Sequence, residues 1–156
     1  MAEEINIRRG NSMDFESLGE LVHAAIHDGA VRYTHEQRRA WSPAPRSADA
    51  MADRFGNAAV WVAEIESSRV GLMTLDGTGY IDFAYISPQW QGQGVFRTLY
   101  EAVEFQARAN SVRRLSTHAS LHAFQAFGHF GFNIVKPETV DVSGVWLPRF
   151  FMEKCL

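Results

Sequence analysis

The stretch Ile86–Glu104, ISPQWQGQGVFRTLYEAVE, sets glutamines and two glycines, Gln89-Trp90-Gln91-Gly92-Gln93-Gly94, between an extended run and a helical one. That arrangement suits the binding of an anion, and of a pyrophosphate most of all. Gly92 and Gly94 remove side chains where a backbone must come close to a ligand. From Val95 onward the apolar residues Val95, Leu99, Ala102, Val103 and Ala107 recur at helical spacing, so the N–H groups of the loop lie at a helix N-terminus. Such a terminus offers unpaired donors and roughly half a unit of positive charge. Two other phosphate loops do not fit. A Walker loop needs Lys-Ser or Lys-Thr after its last glycine, where this chain has Val95-Phe96, and a dinucleotide fingerprint needs a third glycine where Arg97 stands. On this segment alone, an ordinary strand, turn and helix with two turn glycines remains an open alternative.

The elements that must position this loop follow from periodicity and punctuation. Ile5 to Arg9 reads as a short strand, and Asn11 and Ser12 can cap a helix from about Met13 to Ala30 with the stripe Leu18, Leu21, Val22, Ala25 and Ile26. Thr34 with Gln37 predicts a capping box for a helix through Trp41, ended by Ser42-Pro43, and a third helix covers about Ser47 to Phe55. Strands follow at Val60–Ile65, Val70–Leu75 and Tyr80–Ile86, with turns at Ser67-Ser68 and Asp76–Gly79. After the long helix come a strand at Arg113–His118, a helix near Ser120–Phe130 ended by Gly131-Phe132, and strands near Asn133–Val142 and Pro148–Lys154. The order predicts a mixed α/β (α+β) fold around one sheet, with no linker, repeat or low-complexity tract, and residues 1–156 as a single domain.

Bulk composition narrows the class. The chain of 156 residues is 46% hydrophobic and 21% charged, as expected of a soluble globular protein with a sizeable core. A net charge of −3 argues against a nucleic-acid surface. Cys155 has no partner within the chain, which suits a reducing compartment, and the acidic start and lack of a long apolar run predict a cytoplasmic protein with no membrane partner.

With these elements in order, the chain resembles the GNAT superfamily of acyl-CoA-dependent N-acetyltransferases. Gln89-Trp90-Gln91-Gly92-Gln93-Gly94 matches that family's loop of Gln or Arg, two residues, Gly, one residue, Gly or Ala, and Ala119-Ser120 through Phe127 to Gly131-Phe132 resembles its later segment. Tyr33–Gln37 and Ala40-Trp41 are similar to the YafP-like bacterial branch. The resemblance implies a mostly antiparallel sheet of about six or seven strands with about four helices, splayed between the strand ending at Ile86 and the strand ending at His118. It implies acetyl-CoA as cosubstrate, no metal, and an amine acceptor, with a homodimer as an open alternative. The backbone of Ala84, Tyr85 and Ile86 is then expected to pair with the pantetheine arm, the N–H groups of Gln91, Gly92, Gln93, Gly94, Val95 and Phe96 to hold the pyrophosphate, and Ser120 to lie near the thioester.

Direct transfer needs a neutral amine, and making a lysine-like amine neutral at pH 7 costs about 4.6 kcal/mol. The candidate bases are His118, at the end of its strand, Asp82, at the same parity as Ala84, and His27 with Asp28 at the close of the first helix. Backbone N–H near Tyr85 and Ile86 is the expected oxyanion donor. Tyr33, Trp41, Tyr85 and Trp146 are candidates for lining the acceptor cleft, with core packing as the alternative for the tryptophans. Two positions depart from the family pattern. Phe127 stands where relatives usually carry a tyrosine that protonates the leaving thiolate, although the YafP-like branch often has Phe there, and Phe96 stands where many have a small residue. Tyr85, Ser120 or His122 is then the available donor. The expected activity is transfer of an acetyl group from acetyl-CoA to a primary amine; an acyl-CoA sensor without turnover, or an interaction module, is the alternative.

Overall fold

The structure, a computed structural model, describes residues 3–156. A first sheet joins β1 (Asn6–Arg9), β2 (Ala59–Ile65), β3 (Ser68–Leu75) and β5 (Ala84–Ile86) in that order, all antiparallel. A second joins β4 (Tyr80–Ile81), β6 (Arg114–Ser120), β8 (Val145–Cys155) and β7 (Asn133–Val142), with β4 parallel to β6. The helices are α1 (Phe15–Ala24), α2 (His35–Trp41), α3 (Ala48–Phe55), α4 (Val95–Ala109) and α5 (Phe124–His129).

Both faces of the first sheet are covered, as the alternation along β2 requires. Trp61, Ala63 and Ile65 face the core formed with α4, whereas Val60 and Val62 face Leu18, Ile26, Met51 and Phe55. Val95, Leu99, Val103 and Ala107 place α4 on the sheet, and Gly71 gives them room, since a Cβ there would meet Leu99 and Val95 at 3.0 Å. Ahead of α1, Asn11 caps a 3₁₀ turn whose buried Asp14 accepts from Arg8 and Arg69, each at 2.6 Å. The capping box of Thr34 and Gln37 starts α2. No helix of the described residues is long and apolar enough to cross a membrane.

Three expected elements take a different form. The strand Tyr80–Ile86 is two strands, because the chain changes sheets at Asp82-Phe83. Tyr80 and Ile81 pair with Ser116 and Thr117, whereas Ala84, Tyr85 and Ile86 pair with Met73, Leu72 and Gly71. Thr74 bridges the break: its N–H donates to the Phe83 carbonyl and its hydroxyl accepts from the Phe83 N–H, both at 3.0 Å. The helix expected through Ala30 ends as α helix at Ala24 and continues as a π turn over Ala25–Gly29. The last strand begins at Val145 rather than Pro148, because the turn at Ser143-Gly144, both in the left-handed region, closes a long β7–β8 hairpin.

Candidate active site

The change of sheets opens the site. On the β3 side, Thr74 N–H donates to Phe83 and Ser87 N–H donates to Val70, so the odd-numbered residues of this segment bond to β3. Alternation turns the N–H and carbonyl groups of Ala84 and Ile86 to the opposite edge, where β6 has already diverged. The N–H of Tyr85 is spent on β3, so of the two expected oxyanion donors Ile86 remains, and Ala84 joins it on the same edge.

Below this edge, Gly92 (φ +73°) and Gly94 (φ +89°) are both left-handed, and Gly94 is the N-cap of α4 with no side chain capping it. Among the described residues, no acceptor is found for the backbone N–H of residues 92–97; the first bonded one is Thr98, which donates to Gly94. The long helix therefore starts with a cluster of unpartnered donors. Gln93 donates its side chain to the Gln89 carbonyl and Val95 is buried in the core, so only their backbones are available to a ligand.

These two features border one cavity of about 410 Å³. Ala84, Tyr85, Ile86, Gln91, Gly92, Gly94, Phe96 and Ser120 all line it. Phe96 stacks on Phe130 at 5.7 Å and meets Phe127 edge-on at 5.2 Å, so its ring is held as part of the wall. Across from the loop lie Ala25, Ile26 and Ala30, brought there by the π turn. Gly29 packs against the end of the Gln91 side chain, whose amide a Cβ would meet at 2.7 Å and displace.

A second cavity, of about 310 Å³, lies on the other side of Tyr85. Trp41, Tyr85 and Ser120 line both cavities and so mark their junction. The Tyr85 hydroxyl has no hydrogen-bond partner among the described residues, and burial pushes its pKa up, so it is a protonated donor at neutral pH. Ser120 accepts from the Ala123 N–H at 3.1 Å, which leaves its own proton free. His122 and Phe127 border this region, and Phe127 is fully buried.

The second cavity holds the titratable groups. His118 receives the Tyr80 hydroxyl at Nδ1, 2.7 Å away, and its Nε2 lies 3.3 Å from Glu138. A carboxylate accepts only, so Nε2 carries the hydrogen and Nδ1 the lone pair, and the Tyr80 hydroxyl donates. Burial and then the nearby Arg149 lower the His118 pKa from its usual value. Glu138 is held by Arg149 at 3.2 Å. Asp82 faces the same cavity, but both its oxygens bond Arg54, at 3.1 and 3.3 Å. Tyr33 and Trp41 meet at 5.3 Å as aromatic walls, and the Tyr33 hydroxyl is occupied, donating to Pro148 and accepting from Leu121.

Two expected site residues lie elsewhere. His27 bonds the Ser42 carbonyl through Nε2 at 2.6 Å and stacks on His23, which makes it a staple between the π turn and the end of α2; Asp28 beside it is exposed. Trp146 is 61% exposed and borders neither cavity, because alternation along β8 turns Leu147 inward and Trp146 out. Tyr80, Glu138, Arg149 and Arg46 were not anticipated from the sequence.

A sheet split at one edge, with a glycine-loop helix below the split, defines the class. Residues 30–154 match the acetyltransferase (GNAT) domain family, and the chain belongs to it, as an acyltransferase. The uncharacterized N-acetyltransferase YafP of Escherichia coli (strain K12) is 28% identical over 149 residues, 95% of this chain and 94% of that protein. A GCN5-related N-acetyltransferase from Rhodopseudomonas palustris superposes with a TM-score of 0.92 at 28% identity, covering 100% of this chain and 99% of that one. The yncA protein of Salmonella typhimurium, solved with its cofactor acetyl-CoA, shares the fold with a TM-score of 0.73 at 18% identity, covering 98% of this chain and 94% of that one.

Proposed function

We propose that this protein transfers an acetyl group from acetyl-CoA directly to a primary amine, with the donor in the larger cavity and the acceptor in the smaller. The observation that carries this reading is the set of unpartnered N–H groups over residues 92–97, next to an edge of Ala84 and Ile86 that no strand covers and on which only the Ile86 carbonyl is met, by the Gln91 side-chain amide at 3.4 Å. A pyrophosphate fits the first and the amides of a pantetheine arm fit the second. Acetyl-CoA supplies the acetyl group as an activated thioester.

The chain's own groups then have distinct tasks. An amine that enters as an ammonium ion gives its proton to the Tyr80 oxygen while Tyr80 passes its own to Nδ1 of His118, and Glu138 stabilises the imidazolium that results. The lowered pKa of His118 keeps it neutral and ready to accept at pH 7. The N–H of Ile86 or Ala84 faces the charge that develops on the carbonyl oxygen. The hydroxyls of Tyr85 and Ser120, at the junction, are the donors available to the departing thiolate in place of a tyrosine at Phe127.

One observation favours a second reading, an acyl-CoA sensor without turnover: the buried Phe127 supplies no acid. Thermal shift with CoA, acetyl-CoA and longer acyl-CoAs, followed by thiol release with a panel of amines, separates the two. Transfer predicts stabilisation by CoA and thiol release with some amine. Stabilisation without release across the panel supports the sensor, and no stabilisation overturns both.

A further inference from the structure

The acceptor cavity carries more positive charge than its own carboxylates neutralise. Arg46, Arg54 and Arg149 all line it. Arg54 is matched by Asp82, while Glu138 is shared by Arg149, Lys136 and His118. Arg46 forms no ion pair among the described residues, although it is only partly exposed and stands against the aromatic wall of Tyr85 and Trp41. A guanidinium at a cavity wall with no carboxylate of its own is available to an anion that enters.

The backbone that carries Arg46 is held in place by a second feature. Gly19 lies in the middle of α1, where glycine weakens a helix, and a Cβ there would meet the Arg46 carbonyl at 2.1 Å. The loop between α2 and α3 rests directly on that bare helical backbone, and Pro43 and Pro45 stiffen its approach. The fold thus gives up a side chain inside α1 to bring residue 46 to the cavity wall.

We propose that the acceptor is a small molecule carrying an anionic group beside its primary amine, an amino acid or an aminoalkyl phosphonate, with Arg46 binding the anion while Tyr80 faces the amine. This rests on the acetyltransferase reading, and it adds the acid as the specificity element. Arg46 takes such a group through paired N–H donors, which suits either oxyanion.

The test uses matched pairs of ligands on the protein saturated with CoA: amino acids of increasing side-chain size and their amides, together with aminoalkyl phosphonates and the corresponding alkyl amines. Isothermal titration reads binding without requiring turnover. The expected result is that acids bind at least tenfold more tightly than their amides or amines, that Arg46→Gln removes the preference by weakening acid binding to the level of the amides, and that its CoA-dependent thermal shift stays that of the parent. The better of the carboxylate and phosphonate arms names the oxyanion. The proposal is overturned if amides bind as well as acids, if the acid preference survives Arg46→Gln, or if no member of the panel binds. Failure of the acetyltransferase reading is seen separately, as the loss of any CoA-dependent shift in the parent protein.

Discussion

The two cavities that meet at Tyr85 are built by opposite means. The larger one offers backbone: unpartnered N–H groups over residues 92–97 and the strand edge of Ala84 and Ile86, inside walls of alanine, isoleucine and phenylalanine. The smaller one offers side chains, with Tyr80, His118 and the arginines converging from the β4 segment, β6, β8, α3 and the loop before it, and Glu138 of β7 bonded to His118 and Arg149. Backbone donors recognise features that every acyl-CoA carries, and they do so whatever the local sequence, provided the turn can form. Side-chain networks distinguish one acceptor from another and move a proton. On the proposed assignment, one fold keeps a common donor site while the acceptor site is free to vary.

The largest effect that would break this comparison is on the backbone side. Gly92→Asp puts a carboxylate among the N–H donors, and at about 4 Å with an effective dielectric near 20 its repulsion of one phosphate charge is roughly 4 kcal/mol, close to a thousandfold in CoA affinity. Gly92→Ala controls for the cost of placing any side chain at φ +73°, since a Cβ there meets nothing within 4 Å. The expected outcome is loss of the CoA-dependent thermal shift in the Asp variant and its retention in the Ala variant. An unchanged shift with Asp would remove the pyrophosphate from this loop.

On the side-chain side, His118→Asn keeps a polar partner for Tyr80 but removes the group that holds the proton. A roughly hundredfold fall in kcat is expected, with the CoA shift unaltered. The pH profile supplies a sharper mark. In the parent protein, kcat/KM rises with pH as His118 loses its proton, at a value below the usual histidine range because burial and Arg149 disfavour its cation. In the variant the limb moves up toward the pKa of the free amine, because only the neutral amine then reacts. The same shift links stability to pH. A folded-state pKa below the unfolded one means the unfolded chain binds more protons, so His118 contributes stability that is lost as pH falls from about 6.5 through the folded value.

How much of each cavity the sequence revealed follows from the same contrast. The proposed donor site is nearly contiguous: two glycines and an amphipathic helix made its loop legible over residues 80–109, while the split of the strand before them was not. The place of Ala25, Ile26 and Ala30 at the cavity escaped, because a π turn leaves the stripe from Leu18 to Ile26 looking like continuous helix. The proposed acceptor site joins residues as far apart as Arg46 and Arg149, and no spacing rule connects them. His118 was legible as a histidine at a strand end, but its link to Tyr80 requires parallel pairing of a strand that the alternation of Tyr80–Ile86 showed as unbroken. Gly19 was not singled out in the sequence, and its contact with the Arg46 backbone emerges only from the packing of the loop on α1.

The smallest effect is expected at the junction, which belongs to both cavities. Phe127 borders a space of about 50 Å³ that also borders Tyr85 and Ser120, so Phe127→Tyr adds a hydroxyl beside two existing ones. A thiol with a pKa near 8.5 leaves fairly well without an acid, and the expected change in kcat is under about threefold. Tyr85→Phe removes the only unpartnered phenol there and should lower kcat by roughly tenfold if that phenol serves the thiolate. The double variant then decides the matter. Recovery of kcat by Phe127→Tyr in the Tyr85→Phe background, with little effect in the parent, shows two positions supplying one interchangeable proton. Independent effects of the two substitutions would instead make Tyr85 a wall of the acceptor cavity, and the departing thiolate would take its proton from Ser120 or from water.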